Sequence, residues 1–250
     1  MSGAALLPRF WHRALKARFR DQRAEIRALV EAIRPGECAA DVGANKGAYL
    51  PWLSRAVGPE GRVVAFEPQP DLAAYLERAC RAASLGNVRV EGVGVSEASG
   101  TRRLHVPGGS GPSPGASFEP AVAAASAGRD VAARVVALDE FLADEPRRLA
   151  ALKVDVEGHE LAVFRGARRR IERDAPLVVF ESEARHGGED AVTRCLAFFA
   201  ERGYEGWFVR LGRLVPVAAF DPAVHQRRGP GRFWDAKDYC NNFVMRKAGG

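Results

Sequence analysis

The chain has only four cysteines, Cys38, Cys80, Cys195 and Cys240, and no two of them form a C-x-x-C pair. That spacing excludes a zinc ribbon and a disulfide framework, and reduced thiols in a cytoplasmic enzyme are expected. Long apolar runs are also missing. Nothing approaches the roughly 18–20 residues that a membrane span needs. The apolar stretch at 4–7 is too short for the hydrophobic region of a secretory signal, and Pro8 closes it. There is no G-x-x-x-x-G-K-[ST] phosphate loop. Basic runs interleaved with aromatics are absent too, which disfavours a nucleic-acid partner. No internal repeat is visible.

What remains suits an α/β enzyme. The 250 residues are 47% hydrophobic, enough for a sizeable core. The formal charge is +6, and much of the excess lies near the start, at Arg9, Arg13, Lys16, Arg18, Arg20, Arg23 and Arg27. Residues 9–33 carry Phe10, Leu15, Phe19, Ile26, Leu29, Val30 and Ile33 at helical spacing, and Pro35-Gly36 stops the pattern. This predicts an N-terminal basic amphipathic helix within residues 1–36. It either packs on the domain edge or makes peripheral contact with a membrane surface, although Asp21, Glu25 and Glu31 dilute its polar face.

From residue 37 to 247, strand and helix signals alternate. Strands are expected at Cys38–Val42, Arg62–Phe66, Val88–Val95, Leu152–Val156 and Leu177–Glu181. Helices are expected at Lys46–Val57, Asp71–Ser84, 159–172 and Glu189–Arg202. Tyr204–Arg210, Leu214–Val217 and Asn242–Arg246 follow without intervening helices, so the parallel sheet should end in an antiparallel edge. One Gly/Pro/Ser/Ala-rich insert, at about 107–129, is long for a connection in a compact domain. It reads equally as a disordered insertion or as a lid over a substrate. Arg168, Arg169 and Arg170 read as a solvated helix face.

The sharpest local signal is Asp41-Val-Gly43-Ala-Asn45-Lys-Gly47, between an apolar strand and a helix. In open α/β sheets, ligands sit beyond the carboxyl ends of the strands, and Gly43 and Gly47 allow tight turns and close approach. Glu67 ends the next strand, about twenty residues on, where an acid that binds ribose hydroxyls is expected. A dinucleotide fingerprint aligned here would need glycine where Asn45 stands, so that the backbone can approach a pyrophosphate. An adenosine ligand without phosphates, such as S-adenosylmethionine, avoids that conflict. Asp41 is expected both to order the loop and to contact the amino-acid end of such a ligand, in a cofactor site made with Gly43, Asn45, Gly47 and Glu67; a structural carboxylate that caps the loop amides is the alternative. An NAD-dependent oxidoreductase and a cofactor-binding module without turnover stay open as alternatives.

A second cluster, Lys153-Val-Asp155-Val-Glu157-Gly158-His159-Glu160, runs from a strand into a helix, and Glu181 ends the neighbouring strand. Asp155 and Glu157, two apart in an extended segment, should point to one side. Asp155, His159 and Glu181 are the candidates to take a proton in catalysis. An imidazole with an ordinary pKa of roughly 6.5 suits that task. Asp155, Glu157 and Glu181 could instead gather around Mg²⁺. Salt bridges to Lys153 or Arg165, or a capping role for His159, are the structural alternatives.

Taken together, DVGANKGAY (41–49), AFEP (65–68), LDEFL (138–142), LKVDVEGHELAVFRGA (152–167) and VVFE (178–181) resemble the FkbM-type methyltransferase family over about residues 38–246. The resemblance implies a doubly wound, mostly parallel, seven-stranded class I (Rossmann-like) methyltransferase sheet. It also implies S-adenosylmethionine as cofactor and O-methylation of a sugar, glycolipid or natural-product hydroxyl. The partner would be a small-molecule or glycan acceptor. Ala116-Ser117-Phe118 matches the family's serine-rich mid-chain element only weakly. Neither the motifs nor the composition sets the oligomeric state.

Overall fold

A computed structural model describes residues 6–188 and 190–249. Residues 1–5, Glu189 and Gly250 lie outside it, and with them parts of the expected apolar stretch at 4–7 and the first residue of the expected helix Glu189–Arg202.

The chain opens with α1 (Leu6–Lys16), a π-turn (Ala17–Asp21) and α2 (Arg23–Ala32). The single helix expected over 9–33 is therefore two, broken at Gln22, whose φ/ψ of −131°/38° is not helical. Apolar size misled here. In α1 the buried face is Phe10 and Ala14, while Leu15 and Phe19 point outward.

The α/β units follow: β1 (Cys38–Val42), α3 (Leu50–Val57), β2 (Arg62–Phe66), α4 (Pro70–Ala82) and β3 (Val88–Glu91). Pro51 and Pro70 sit in the first turns of α3 and α4, where the missing N–H is unneeded. The strand expected over 88–95 splits. Gly94–Val95 is a separate strand, β4, that leaves the main sheet. It joins an antiparallel hairpin, β5 (Gly100–Pro107) and β6 (Gly128–Val136), in a small second sheet of order β4-β6-β5. Pro107 pairs with Gly128, so the insert is the tip of this hairpin and carries a short helix, α5 (Pro120–Ala125).

After α6 (Leu138–Phe141) the main sheet resumes with β7 (Leu149–Val154), α7 (Glu160–Gly166), α8 (Arg168–Asp174) and β8 (Leu177–Glu181). Next come α9 (Ala184–Gly187), α10 (Ala191–Ala200), β9 (Tyr204–Arg210), β10 (Arg213–Pro216), α11 (Pro222–His225) and β11 (Asn242–Lys247). The sheet order is β10-β9-β11-β8-β7-β1-β2-β3, parallel from β8 to β3 and antiparallel at the β9–β11 edge. It is the expected doubly wound class I architecture, with eight strands rather than seven because the β9–β10 turn adds one at the rim.

Two cores fill the layers. Alternate residues of β1 divide between them: Ala39 faces Ile26, Leu29, Leu53 and Leu76, while Cys38, Ala40 and Val42 face Phe164, Ile171 and Phe199. Every residue of β1 and β7 is buried, as a central parallel strand covered on both faces requires. Arg170, expected on a solvated face, is buried instead. Its guanidinium pairs with Asp174 at 3.2 Å and donates to the Leu142 and Glu145 carbonyls, closing the bottom of the second core.

Glu25 sits on the inner side of α2, buried against the first core, and burial pushes its carboxyl up to about 7 from 4.5. A carboxyl that holds its proton more tightly in the folded chain supports the fold fully below about pH 4.5 and loses that support as pH rises to about 7. Glu25→Gln is therefore expected to raise thermal stability at pH 8 by on the order of 3 kcal/mol, a midpoint increase of roughly 6–12 °C, and to leave it nearly unchanged at pH 4.5. Melting curves of both proteins at the two pH values test this; equal shifts at both would refute it.

Candidate active site

The carboxyl ends of β1, β2 and β7 converge on a cleft of about 520 Å³ that is open to solvent. Its floor is Val42, Gly43 and Asn45; one wall is Phe66 to Gln69; the other is Asp155 to Glu157. Gly94, Val95 and Leu104, with Pro114, Ala116 and Phe118 from the insert, roof it.

The loop after β1 turns because Gly43, Asn45 and Gly47 all have positive φ (75°, 47° and 75°). Asparagine is among the few residues that tolerate this region. Besides the tight turn expected of them, the two glycines allow close approach of the chain to itself. A Cβ on Gly43 would lie 1.8 Å from the Asp155 carbonyl oxygen, and one on Gly47 would lie 2.9 Å from Leu76 and Phe10. Gly43 and Ala44 both donate to the Phe66 carbonyl, and Asp155 donates to that of Val42, so loop and strand ends form one hydrogen-bonded unit.

Glu67 closes the β2 side. Its carboxylate accepts from the Asn45 N–H at 2.9 Å and the Gln69 N–H at 3.0 Å. Burial raises its pKa, and these two donors work against the rise. The Gln69 side-chain amide also donates to it, at 3.4 Å; a carboxylate offers roughly four acceptor positions, so some capacity is left for a hydroxyl at the cleft wall.

Asp41 lies beneath the floor rather than on it. It is 1% exposed and faces Lys153, its register partner on β7, at 3.3 Å, without a well-directed hydrogen bond. Lys153 also donates to the Gly43 carbonyl at 2.9 Å and reaches Asp155 at 3.6 Å. Burial opposes the ammonium, but Asp41 and Asp155 outweigh it and hold the lysine above its ordinary value. Asp155 itself is on the cleft wall, with its side chain 32% exposed.

The other acids of this end are engaged elsewhere. Glu157, with φ 52°, pairs with His186 at 3.0 Å. Glu181 accepts from Asn241 at 2.7 Å, and burial with the charges of Asp155 and Glu157 raises its carboxyl well above the usual range. Glu160 accepts the Gly158 N–H at 2.8 Å, and burial pushes it up to about 8, against the helix dipole expected to favour its charge. The expected Mg²⁺ cage of Asp155, Glu157 and Glu181 does not form: among the described residues, no three His, Cys, Asp or Glu side chains gather around a metal-sized point.

His159 points away from the cleft and under the insert. Its Nδ1 donates to Glu119 at 2.6 Å, leaving Nε2 to accept from the Ser96 hydroxyl at 2.9 Å, and Phe118 packs on the ring. The insert is folded onto the domain by this contact and two more. Ser117 donates to the Glu157 carbonyl at 2.7 Å, while Gln69 and Ser113 exchange two hydrogen bonds of 2.9 Å. Gln69, Ser113, Phe118 and Glu119 were not legible as site residues. Only Ser117-Phe118, an aromatic inside a small-residue stretch, hinted at them. His105 lies away from the cleft, held by Asp130 in the β5–β6 hairpin.

The donor set is one-sided. Glu67, Asp155 and Glu157 line the cleft, and no Lys, Arg or His does. Val95, Leu104 and Phe118 supply an apolar slot beside Glu67. Such a lining offers acceptors to hydroxyls or to a cationic group, and among the described residues no cationic side chain to a pyrophosphate.

Comparison with known proteins agrees with this geometry. The model of one family, the methyltransferase FkbM domain, matches residues 41–205. Among solved structures, a methyltransferase FkbM from Methylobacillus flagellatus KT superposes with a TM-score of 0.52 at 16% identity, covering 97% of this chain and 60% of that one. This chain thus spans 60% of the length of that protein. The cofactor-bound protein Rv0187 from MTB has a TM-score of 0.51 at 17% identity, with 96% and 88% of the chains covered. SMU.1697c from Streptococcus mutans, in complex with SAH, has a TM-score of 0.51 at 10% identity, with 90% and 96% covered. At these identities the likeness shows the fold. No curated protein matches the chain.

The crowding at Gly43 carries a prediction. Gly43→Ala is expected to lower stability by about 2–3 kcal/mol or more, because the new methyl must displace the end of β7. Gly86→Ala, whose Cβ meets nothing within 4 Å, serves as control and should stay within about 0.5 kcal/mol of the parent. Urea denaturation decides, and a Gly43→Ala midpoint equal to the parent's would refute the packing role.

Proposed function

Because the chain belongs to the FkbM methyltransferase family, we propose that it transfers a methyl group from S-adenosylmethionine to a hydroxyl of a sugar, glycolipid or natural product. The observation that carries the cofactor half is the cleft lining, which among the described residues holds three carboxylates and no Lys, Arg or His. It suits a sulfonium cation and opposes the phosphates of a nicotinamide dinucleotide.

When bound, S-adenosylmethionine supplies a methyl group already activated by its positive sulfur. Glu67 would bind the ribose diol with the acceptor capacity that Asn45 and Gln69 leave free. Val95, Leu104 and Phe118 would hold the adenine, and the Asn45 and Gly43 backbone would floor the remainder. Asp41 acts through Lys153, which fixes the loop by its bond to the Gly43 carbonyl.

Asp155 is the group placed to take the acceptor's proton. It is the part-exposed carboxylate of the inner wall, 3.6 Å from the ammonium of Lys153. Glu181 has its carboxyl raised by burial and by the neighbouring charges of Asp155 and Glu157, and its side chain accepts from Asn241. His159, with both ring nitrogens engaged, positions the insert through Glu119 and does not meet the acceptor. In the transfer that S-adenosylmethionine would supply, Asp155 would take the proton of the acceptor hydroxyl.

Two measurements test this reading. Glu67→Gln keeps an acceptor for the backbone but loses the charge, and should weaken S-adenosylmethionine binding roughly 10–100-fold by calorimetry. Tight NADH binding without S-adenosylmethionine binding would instead assign the cleft to an oxidoreductase. Asp155→Asn should cut methyl transfer from labelled cofactor to a responsive hydroxyl acceptor by on the order of 10²–10⁴ while cofactor affinity stays within about threefold. Parental turnover in that variant would make Asp155 structural. Cofactor binding without transfer to any glycoside, glycolipid or polyketide would favour a binding module.

A further inference from the structure

Among the described residues, five large apolar side chains are exposed, and four of them fall in two pairs. Leu15 and Phe19, one helical turn apart, project from the end of α1 and the π-turn, with Phe19 65% exposed. Leu211 and Leu214 form the tip of the β9–β10 hairpin, with Leu211 69% exposed. The fifth, Val224, is on α11.

All three places lie toward the end of the sheet where the cleft opens. α1 crosses the first turns of α3 and α4, which follow the cleft loops: Trp52 donates to the Ala14 carbonyl, and Phe10 packs against Gly47. The β9–β10 tip follows the end of β9 that lies beside Glu181, since Phe208 pairs with Phe243 and Phe243 with Phe180. α11 joins the same end, its His225 carbonyl accepting the Cys240 N–H just before β11.

Each pair is flanked in sequence by exposed cations, Lys16, Arg20 and Arg23 near Leu15 and Phe19, and Arg210 and Arg213 on either side of Leu211. No acid pairs with Arg23, Arg210 or Arg213 among the described residues. Of the acids that dilute the N-terminal segment in sequence, Glu25 is buried in the core and Glu31 pairs with Arg27 toward the far end of α2. Asp21 stays exposed on this face, where it is shared by Lys16 and Arg20 and leaves a net positive charge. Apolar tips ringed by cations match the apolar boundary and negative surface of an anionic bilayer. No helix among the described residues is long and apolar enough to cross a membrane, so the contact would be a surface one.

We propose that this rim docks on an anionic lipid surface through Leu15/Phe19 and Leu211/Leu214, bringing the cleft mouth to an acceptor hydroxyl carried there on a lipid headgroup or lipid-linked glycan. The acceptor part rests on the methyl-transfer reading above; the docking does not.

Flotation of the full chain with vesicles separates the two. In about 0.1 M salt the protein should float with phosphatidylcholine vesicles containing phosphatidylglycerol, and at least about tenfold less with phosphatidylcholine alone. Raising salt to about 0.5 M should release it. Leu15→Ser with Phe19→Ser, and Leu211→Ser with Leu214→Ser, should each reduce binding about fivefold or more, with melting temperature and S-adenosylmethionine affinity unchanged. No flotation with anionic vesicles, or flotation untouched by both pairs of substitutions, would overturn docking. So would loss of self-association in these variants with no change on vesicles, which would assign the tips to a second copy. Salt-sensitive binding to duplex DNA or RNA in place of vesicles would do the same. Loss of S-adenosylmethionine binding in the parent protein would overturn the catalytic reading and leave docking standing.

Discussion

A single buried ammonium organises the cleft end of this protein. Lys153 leaves β7 facing the α2–α3 side of the sheet, and no water-filled space receives its charge. A buried charge is tolerated only when paired and hydrogen-bonded, and three groups do that here: Asp41 from β1, Asp155 from the end of its own strand, and the Gly43 carbonyl from the loop. The aromatic face of Tyr49 covers it at 5.4 Å. Each contact fixes a different part. The Asp41 contact ties β1 to β7, the Gly43 contact sets the loop that floors the cleft, and the Asp155 contact holds a carboxylate at the wall. Because Asp41 has no other polar partner, removing the lysine would leave a buried carboxylate alone, and the loop would lose its tether in the same step.

The second constraint is the insert. In sequence it is a Gly/Pro/Ser/Ala stretch with little to bury, and such composition favours disorder. Its ends are nevertheless clamped by the β5–β6 pairing, which runs without interruption to Pro107 and Gly128. A loop so closed loses less entropy on docking than a free one, so a few well-placed contacts suffice. Ser117, Glu119 and Ser113 supply them, to Glu157, His159 and Gln69. Two of these three partners lie in the Asp155–Glu160 segment, so the acidic motif has a structural task besides any chemical one: it holds the roof of the cleft.

Much of the main sheet was legible because its strands are short all-apolar runs that end in glycine or acid, as at Cys38–Val42 and Leu177–Glu181. Boundaries failed where tertiary contacts overrode local preference. Lys46 to Tyr49 carry helical signals but form the turn that packs Gly47 against Phe10. The β5 and β6 strands carry arginines on exposed positions and hid among loop-like residues. Glu67 and Asp155 were visible because strand-end acids at the right spacing announce themselves. His159 attracted a chemical role for the same reason, yet its partners Ser96 and Glu119 stand 63 and 40 residues away, and no local pattern encodes them. Gln69 was invisible because its partner, Ser113, lies in the stretch with the least pattern of all.

The net charge of +6 takes its meaning only from where the charges lie. As a whole-chain property it permits nucleic acid, lipid or sugar and selects none. In the fold the signs are segregated. The cleft is lined by carboxylates without a base, while exposed arginines stand around the apolar tips of its outer rim. The two arrangements are independent in sequence, one built from strand ends and the other from a helix end and a hairpin tip. They are compatible in function for a simple electrostatic reason. Field from the rim cations is screened over about 8 Å at physiological salt, so it can act on a surface the rim touches. The cleft acids, partly enclosed by apolar side chains, are screened less than charges on the open surface. Under the two proposals above, a cationic cofactor would meet the carboxylates inside and an anionic surface would meet the cations outside, without either set of charges cancelling the other.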